Sequence, residues 1–208
     1  MANTTFTGPV RSKGGFTSIS ENATTGAITT LSSISSTGVT SFDANTLATE
    51  AGTGITGGTG TVYRSAVQRV GGIITTRILI DLTGLRSTAS GDIIGVNGTS
   101  NVCHIGQITA ARNGTILTGS MECFEAPAGG DPDINVHSAT EGTGVEDGAI
   151  SSLTETLLVN AADATLGSKV YFTAVPAADQ FLYLTLGATT DADYTAGKLF
   201  IELMGYEA

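Results

Sequence analysis

The clearest strand in the sequence is Gly72-Ile73-Ile74-Thr75-Thr76-Arg77-Ile78-Leu79-Ile80-Asp81-Leu82. In an extended chain, one side of this stretch would carry Ile74, Thr76, Ile78, Ile80 and Leu82, and the other Thr75, Arg77 and Asp81. Alternation with a period of two residues is typical of a half-buried β-strand. The same reasoning predicts strands over residues 181–186 and 198–204. A strand so near the C-terminus indicates that the tail belongs to a sheet.

The composition extends this prediction to the whole chain. Of 208 residues, 40% are hydrophobic and only 13% are charged, while 28 are glycine. Helix-forming Lys, Glu, Gln and Arg are scarce, whereas Thr, Gly and β-branched runs are common. Short strands separated by Gly-rich turns favour an all-β fold, either a β-sandwich or a jelly-roll-like domain.

The first 60 residues differ from the rest because they consist largely of Thr, Ser and Gly, as in residues 29–37 and 51–60. Such a segment cannot bury much surface by itself. It is either a flexible leader or an extended arm that orders against a neighbouring subunit, with Leu31, Ile34, Val39 and Phe42 as short strands or anchors. The predicted organisation is an extended N-terminal arm over 1–60 and a β-sandwich domain over 61–208.

Two local signals make finer predictions. Asn113-Gly114 lies between strand-like runs at 102–111 and 115–124, and this dipeptide favours a two-residue hairpin turn. The order Ser152-Leu153-Thr154-Glu155 matches a capping box, which predicts a short helix through Leu157 and Leu158.

The charge excludes some functions. Nine Lys and Arg against 19 Asp and Glu give a net charge of −10, which disfavours binding to nucleic acid or to an anionic membrane. Residues 1–112 carry +2 and residues 113–208 carry −12. This uneven charge has two explanations. It arises by chance from acidic loops, or the near-neutral N-terminal part docks on a partner while the acidic part faces solvent or an approaching partner. No apolar stretch approaches the ~20 residues of a membrane span, and the start lacks a secretion signal, so we expect cytosolic synthesis.

The residues that could bind metal do not have metal-site spacing. Cys103, His104, Cys123 and His137 match no Cys-x-x-Cys or His-x-x-x-His pattern. A two-residue turn at Asn113-Gly114 would place Cys103 opposite Phe124, whereas a three-residue loop or a bulge would place it opposite Cys123 and permit a disulfide. Of these two alternatives we expect buried, free thiols.

The acidic pairs have equally ordinary explanations. Asp131/Asp133 and Asp191/Asp193 could bind calcium, but Asp and Pro also initiate turns without a ligand. Glu146/Asp147 and Glu122/Glu125 could form a glycosidase pair, yet the chain has no Trp to stack a sugar. No catalytic motif occurs and only two histidines are present, so we expect no enzymatic activity and no cofactor.

Several runs resemble virion structural proteins of tailed bacteriophages, especially marine and cyanobacterial ones. They are residues 1–16, Gly71-Gly72-Ile73-Ile74 with Arg77, residues 80–85, Ile93-Ile94-Gly95, residues 125–134 and residues 191–201. Together these runs span nearly the whole chain, and their order gives the resemblance its specificity.

The resemblance implies a non-enzymatic capsid decoration (cement) protein, made in the host cytoplasm and located on the surface of the phage head. Its partner would be the major capsid protein, and homotrimers on local threefold axes are expected. The candidate capsid-contact residues of the arm are Phe6, Arg11, Phe16, Leu31, Ile34 and Phe42. The alternative is a tail-associated or host-recognition protein, such as an adhesin or fibre, that uses acidic loops between Asp131 and Asp147.

Overall fold

The computed structural model describes residues 13–22, 24–34, 40–42, 47 and 49–207. Nearly all regular structure there is β, and every strand pair is antiparallel. The elements are β1 Phe16–Glu21, β2 Ile28–Ile34, β3 Thr40–Phe42, α1 Thr53–Thr56, β4 Val62–Val70, β5 Ile73–Asp81, β6 Arg86–Ser87, α2 Ala110–Asn113, β7 Thr115–Ala128, β8 Ile134–Ala139, a 3-10 turn Ile150–Ser152, β9 Glu155–Val159, β10 Lys169–Tyr171, β11 Phe181–Leu186, β12 Ala192–Asp193 and β13 Ala196–Tyr206. The predicted all-β fold is confirmed.

The chain divides into two compact units, Met1–Ala44 and Asn45–Ala208. The smaller unit contains a three-stranded sheet, β1-β2-β3, which we call the small sheet. The larger unit contains a five-stranded sheet in the order β10-β7-β13-β5-β4, a three-stranded sheet β11-β8-β9 and the two-stranded β12-β6. This division differs from the predicted boundary at residue 60, because residues 45–60 fall in the larger unit.

The Thr-Gly tract at 51–60 packs tightly inside that unit. Ile55 is fully buried, and the Gly54 N–H donates to the Val102 carbonyl at 2.9 Å. A Cβ on Gly54 would overlap the Cys103 Sγ and the Asn101 carbonyl. Glycine therefore permits close approach of two backbones here. A Gly-rich composition is equally typical of a flexible segment and of closely packed backbones. The composition therefore predicts that residues 51–60 belong to the arm.

The strand β13 lies at the centre of the five-stranded sheet, between β7 and β5. Its Leu199, Ile201 and Leu203 are buried, as the alternation predicted. One hydrophobic cluster joins these side chains to Val136 and Leu182 of the three-stranded sheet. The core thus lies between two sheets, in a sandwich-like arrangement, and the predictions of strands at 72–82, 181–186 and 198–204 are confirmed.

The hairpin predicted at Asn113-Gly114 is wrong. Asn113 ends the single-turn helix α2, and Gly114 follows it with a φ of 69°. The strand β7 pairs with β10 and β13, while residues 102–109 contribute only isolated bridges. The side chain of Asn113 is buried and hydrogen-bonded, so its role is in tertiary packing rather than in a two-residue turn.

The helix predicted after Ser152 is also wrong. Only the 3-10 turn forms there, and Glu155–Val159 is strand β9, paired with β8. The Thr154 N–H and hydroxyl both donate to the Glu141 carboxylate at 2.8 Å, so the polar groups of the supposed cap have another partner. Pairing with β8 buries Leu158 and overrides the local helix signal.

Candidate functional site

The small sheet exposes apolar side chains. Phe16 is 46% exposed, Ile19 is 50% exposed and Ile28 is 65% exposed. Among the side chains of Met1–Ala44 that the structure describes, none is buried. A three-stranded sheet needs a covered hydrophobic face for independent stability. This sheet therefore carries the kind of apolar surface that a binding partner covers.

A side-chain-supported turn joins β1 to β2. The Asn22 Oδ1 accepts hydrogen bonds from the N–H groups of Thr24 and Thr25 at 2.9 and 3.0 Å. The Asn22 N–H donates to the Ala27 carbonyl at 2.8 Å, and Gly26 takes a φ of 71°. A bulge between Ser18 and Ile19 bends β1. These local contacts shape the hairpin that carries Phe16, Ile19 and Ile28.

The predicted capsid-contact residues are partly brought together by this sheet. Phe16 on β1 is directly opposite Ile34 on β2, and Phe42 on β3 is opposite Ser32. Leu31 also lies in β2. Phe6 and Arg11 lie outside the described residues, as does Val39.

The five-stranded sheet turns one face away from the core, which we call the outer face. Charged pairs cross it between neighbouring strands: Arg77 Nε lies 2.8 Å from Glu202 Oε2, and Lys169 Nζ lies 3.4 Å from Glu122 Oε2. Lys198 contacts the carboxylates of Asp81 and Glu125. Burial acts to raise the pKa of Asp81, but hydrogen bonds from Thr83 and the Lys198 ammonium hold it below its usual value.

The outer face also carries apolar groups. The rings of Phe124 and Phe200 stack with centroids 5.1 Å apart. At one end of the sheet, Val70 is opposite Ile73, and Ile73 is opposite Tyr206, so three exposed apolar side chains form a row. The outer face therefore carries both paired charges and exposed apolar side chains.

The two cysteines and the two histidines are all buried. Cys103 and Cys123 are both free, and the prediction that they are buried is confirmed. Burial raises the pKa of the Cys103 thiol to about 12 and also raises that of Cys123. Burial lowers the pKa of both His104 and His137. The thiols are therefore protonated and the imidazoles neutral near pH 7. No group of three or more potential ligands that could hold a metal occurs within the described residues.

The acidic loop residues have structural partners. The Arg86 guanidinium pairs with Asp191 and Asp193. The Asp131 carboxylate accepts hydrogen bonds from the Asp133 N–H at 3.0 Å and the Thr190 hydroxyl at 2.7 Å. These contacts hold loop backbones in place, which is the turn role that the sequence already offered for the two Asp pairs.

The segment between Asp131 and Asp147 is only partly a loop. Residues 134–139 are strand β8, most of whose side chains are buried. Glu146 is also buried, and its carboxylate accepts from the Gly98 N–H at 3.2 Å. Burial raises the pKa of Glu146. The acidic side chains of this segment thus do not form one continuous exposed surface.

Among the features of the larger unit that the sequence reasoning missed are the strand β4 and the apolar row at Val70, Ile73 and Tyr206. The Gly71-Gly72 dipeptide was an available signal, because it favours a two-residue hairpin turn. In the described part of the chain both α-helices are single turns, far shorter than a membrane span.

Comparisons with known proteins add no assignment. No protein-family model matches the chain, and neither the curated proteins nor the solved structures contain a match.

Proposed function

We propose that this chain is a non-enzymatic structural protein of a tailed-phage virion that binds the outside of the head and stabilises the capsid. The observation that carries the proposal is the small sheet, whose Phe16, Ile19 and Ile28 are exposed and whose described side chains include none that is buried. A protein surface that covered Phe16, Ile19 and Ile28 would remove their exposed apolar area from water. The order of the runs that resemble phage virion proteins supports the phage head as that surface.

Docking of this kind stabilises a shell by mass action. Each copy binds the assembled capsid in preference to the separated subunits, so the assembled state gains free energy with every copy bound. The gain per site scales with the apolar area removed from water, at roughly 25 cal/mol per Å² before the costs of association. Many modest sites on one particle then sum to a large effect without turnover of any substrate.

The larger unit suits a role on a crowded protein surface. Its outer-face charges are mostly paired between neighbouring strands, as in Arg77 with Glu202 and Lys169 with Glu122. Paired charges lower the repulsion between copies packed closely together. In this proposal the partner is the major capsid protein, and the copies sit as homotrimers on local threefold axes of the head.

The first experiment asks whether the protein is in the particle and how many copies are present. Purified virions are analysed by quantitative mass spectrometry and reconstructed by cryo-EM. Hundreds of copies on the outside of the head are expected. Absence from virions would overturn the proposal, and a few copies at the tail would favour the host-recognition alternative instead.

The second experiment tests the small sheet. Heads that lack the protein are incubated with purified chain, and bound protein is measured after sedimentation. The double variant Phe16→Ser, Ile19→Ser should lose most of its binding, because it removes exposed apolar side chains of the small sheet and leaves every residue of the larger unit unchanged. The matched control is Tyr171→Ser, which removes an exposed aromatic side chain from β10. Equal binding by both variants would contradict a docking role for the small sheet.

A further inference from the structure

The sequence contains two Asn-Gly dipeptides, Asn97-Gly98 and Asn113-Gly114. Asparagine before glycine is chemically labile, because glycine has no Cβ to keep its main-chain nitrogen away from the preceding side-chain amide. Attack of that nitrogen on the amide carbon closes a cyclic imide, a succinimide. The fold places the two dipeptides in opposite surroundings, so one chain holds both a candidate site and its matched control.

The dipeptide Asn113-Gly114 is held in place. The Asn113 side chain is buried, and its amide is hydrogen-bonded to the Thr76 hydroxyl and the Thr109 N–H, each at 2.8 Å. The Gly114 N–H donates to the Ala110 carbonyl at 3.0 Å. The two reacting groups of this dipeptide therefore meet only in molecules whose fold has opened.

The dipeptide Asn97-Gly98 lies in an exposed turn of the larger unit. Gly98 takes a φ of 70°, and a Cβ built on it would meet no atom within 4 Å. The turn is anchored where it begins, because the Val96 N–H donates to the Gly54 carbonyl at 2.7 Å and the Thr99 hydroxyl donates to the Val96 carbonyl at 3.0 Å. Water therefore reaches the Asn97 amide in the native fold.

A carboxylate lies beside the Gly98 nitrogen. The Gly98 N–H donates to Glu146 Oε2 at 3.2 Å, within the reach that a general base needs. Glu146 is buried, and burial together with the neighbouring Asp147 charge raises its pKa. A carboxylate with a raised pKa accepts a proton more readily than an ordinary exposed one. The nucleophile of the imide reaction thus has a proton acceptor in contact with it.

We propose that Asn97-Gly98 is a self-modifying site, at which Glu146 takes the Gly98 N–H proton while the Gly98 nitrogen attacks the Asn97 Cγ. The new bond joins this nitrogen to Cγ, the bond from Cγ to the side-chain nitrogen breaks, and ammonia leaves with the proton that Glu146 returns. No electrons are transferred to or from another molecule. Water then opens the succinimide at one of its two carbonyl carbons. Opening at Cγ leaves aspartate, and opening at the main-chain carbon leaves isoaspartate.

The product differs from the parent loop in charge and in backbone. Either product replaces the neutral Asn97 amide by a carboxylate, and isoaspartate also routes the main chain through the side chain, which adds a methylene. While the imide persists, Gly98 has no N–H to donate to the buried Glu146. The reaction thus adds a negative charge to this turn as the protein ages. The inference concerns the chemistry of the chain itself and does not rest on the proposed role in a virion.

The first experiment compares the two dipeptides in the full chain. Purified protein is kept in warm neutral buffer and digested in mildly acidic buffer with trypsin, whose cut after Arg112 puts Asn97 and Asn113 in different peptides. Mass spectrometry follows the replacement of the amide NH2 by OH, and fragmentation locates it at residue 97. Asn97 should convert at least about tenfold faster than Asn113, which the fold protects. In urea the two should convert at similar rates, and equal rates in buffer would overturn the proposal.

The second experiment tests the proton acceptor. Glu146→Gln keeps a side-chain oxygen that accepts the Gly98 N–H but cannot take its proton, so conversion of Asn97 should slow at least about tenfold. The matched control Glu202→Gln removes a carboxylate from β13 and should leave the rate unchanged. Circular dichroism verifies that both variants are folded. Equal rates in the parent and Glu146→Gln would refute the role of Glu146, and faster conversion in Glu146→Gln would show that this hydrogen bond restrains the turn instead.

A comparison within the parent decides if Glu146→Gln does not fold. Urea separates Glu146 from Gly98 and leaves the dipeptide itself unchanged. Conversion of Asn97 should therefore be faster in the native protein than in urea at the same pH and temperature. A native rate equal to or below the rate in urea would overturn catalysis by Glu146.

Discussion

The Asn113 side chain donates from Nδ2 to the Thr76 hydroxyl at 2.8 Å, and both residues are fully buried. The Asn113 Oδ1 also accepts the Thr109 N–H at 2.8 Å. One amide thus satisfies a backbone group at the start of α2 and a hydroxyl on the core face of β5. It links the segment before β7 to a central strand pair, thirty-seven residues away in sequence.

Removing this amide should destabilise the fold. Asn113→Ala leaves the Thr109 N–H and the Thr76 hydroxyl without partners, which costs about 2–4 kcal/mol of unfolding free energy. Thr76→Val removes the acceptor of the Asn113 Nδ2 group, whereas Oδ1 keeps the Thr109 N–H, and costs about 1–3 kcal/mol. Urea unfolding of the two single variants and the double variant measures both losses.

The double variant distinguishes a direct bond from two independent effects. Because the two groups are partners, the double variant should lose less than the sum of the single losses, by about 0.5–3 kcal/mol. Gln68→Ala, at an exposed position on β4, is the control and should change stability by less than about 0.5 kcal/mol. Strict additivity of Asn113→Ala and Thr76→Val would contradict the coupling.

The strands that could be predicted are those whose burial alternates along the chain. Ile74, Ile78 and Ile80 share the core face of β5, and Leu199, Ile201 and Leu203 share that of β13. When one face of a sheet is covered, every second residue of its strands is apolar. Such a strand can therefore be recognised from the sequence alone. Strands β8 and β9 were not recognised, because β8 is buried on both faces and β9 carries a competing helix signal.

Signals that depend on a distant partner could not be interpreted from the sequence. The dipeptide Asn113-Gly114 is typical of a hairpin turn, but the side-chain amide of Asn113 is hydrogen-bonded to the Thr109 N–H and the Thr76 hydroxyl. For the candidate site, the sequence identified Phe16 and Ile34 but not that they lie opposite each other. The place of β4 at the end of its sheet depends on strand order, which alternation does not encode.

The boundary between the two units can be tested by shortening the chain. A chain that begins at Asn45 should keep a cooperative thermal transition, because the larger unit keeps its core. A chain that begins at Thr61 loses Ile55 and the hydrogen bonds of Gly52 and Gly54 to residues 102–104. It should unfold at a clearly lower temperature or fail to fold.

A point variant separates the loss of packing from the loss of chain. Ile55→Ala in the full-length protein should cost about 2–5 kcal/mol, as expected for a large apolar side chain removed from a core. Circular dichroism melts and urea titrations supply both measurements. Equal stability of the chains that begin at Asn45 and at Thr61 would show that residues 45–60 do not belong to the core.

The stability of the protein should fall in mildly acidic solution through His104. Burial lowers the pKa of His104 in the fold, so the unfolded chain takes up this proton first as the pH drops below about 6.5. The unfolding free energy should then decrease by up to about 1.4 kcal/mol per pH unit until the folded imidazole also protonates.

His104→Phe removes that titration and keeps an aromatic ring beside Phe181, whose centroid lies 5.0 Å from the imidazole. Urea unfolding of parent and variant at several pH values between about 5 and about 7.5 gives the two slopes. The variant should show the shallower decline. The raised pKa values of Asp133 and Glu146 act in the opposite direction but are common to both proteins. Identical slopes would show that His104 does not contribute.

The two thiols should be inert in the native protein. Cys103 donates to the Asn101 carbonyl at 3.3 Å and Cys123 to the Glu125 carbonyl at 3.2 Å, and both are buried. Burial raises the pKa of Cys103 to about 12, so at pH 8 this thiol stays protonated and unreactive. A thiol-specific disulfide reagent should therefore label neither cysteine in buffer and both in urea. Cys123→Ser isolates Cys103, whose labelling should then follow the opening of the fold rather than reagent concentration. Rapid native labelling, or an oxidised pair in freshly purified protein, would contradict two buried free thiols.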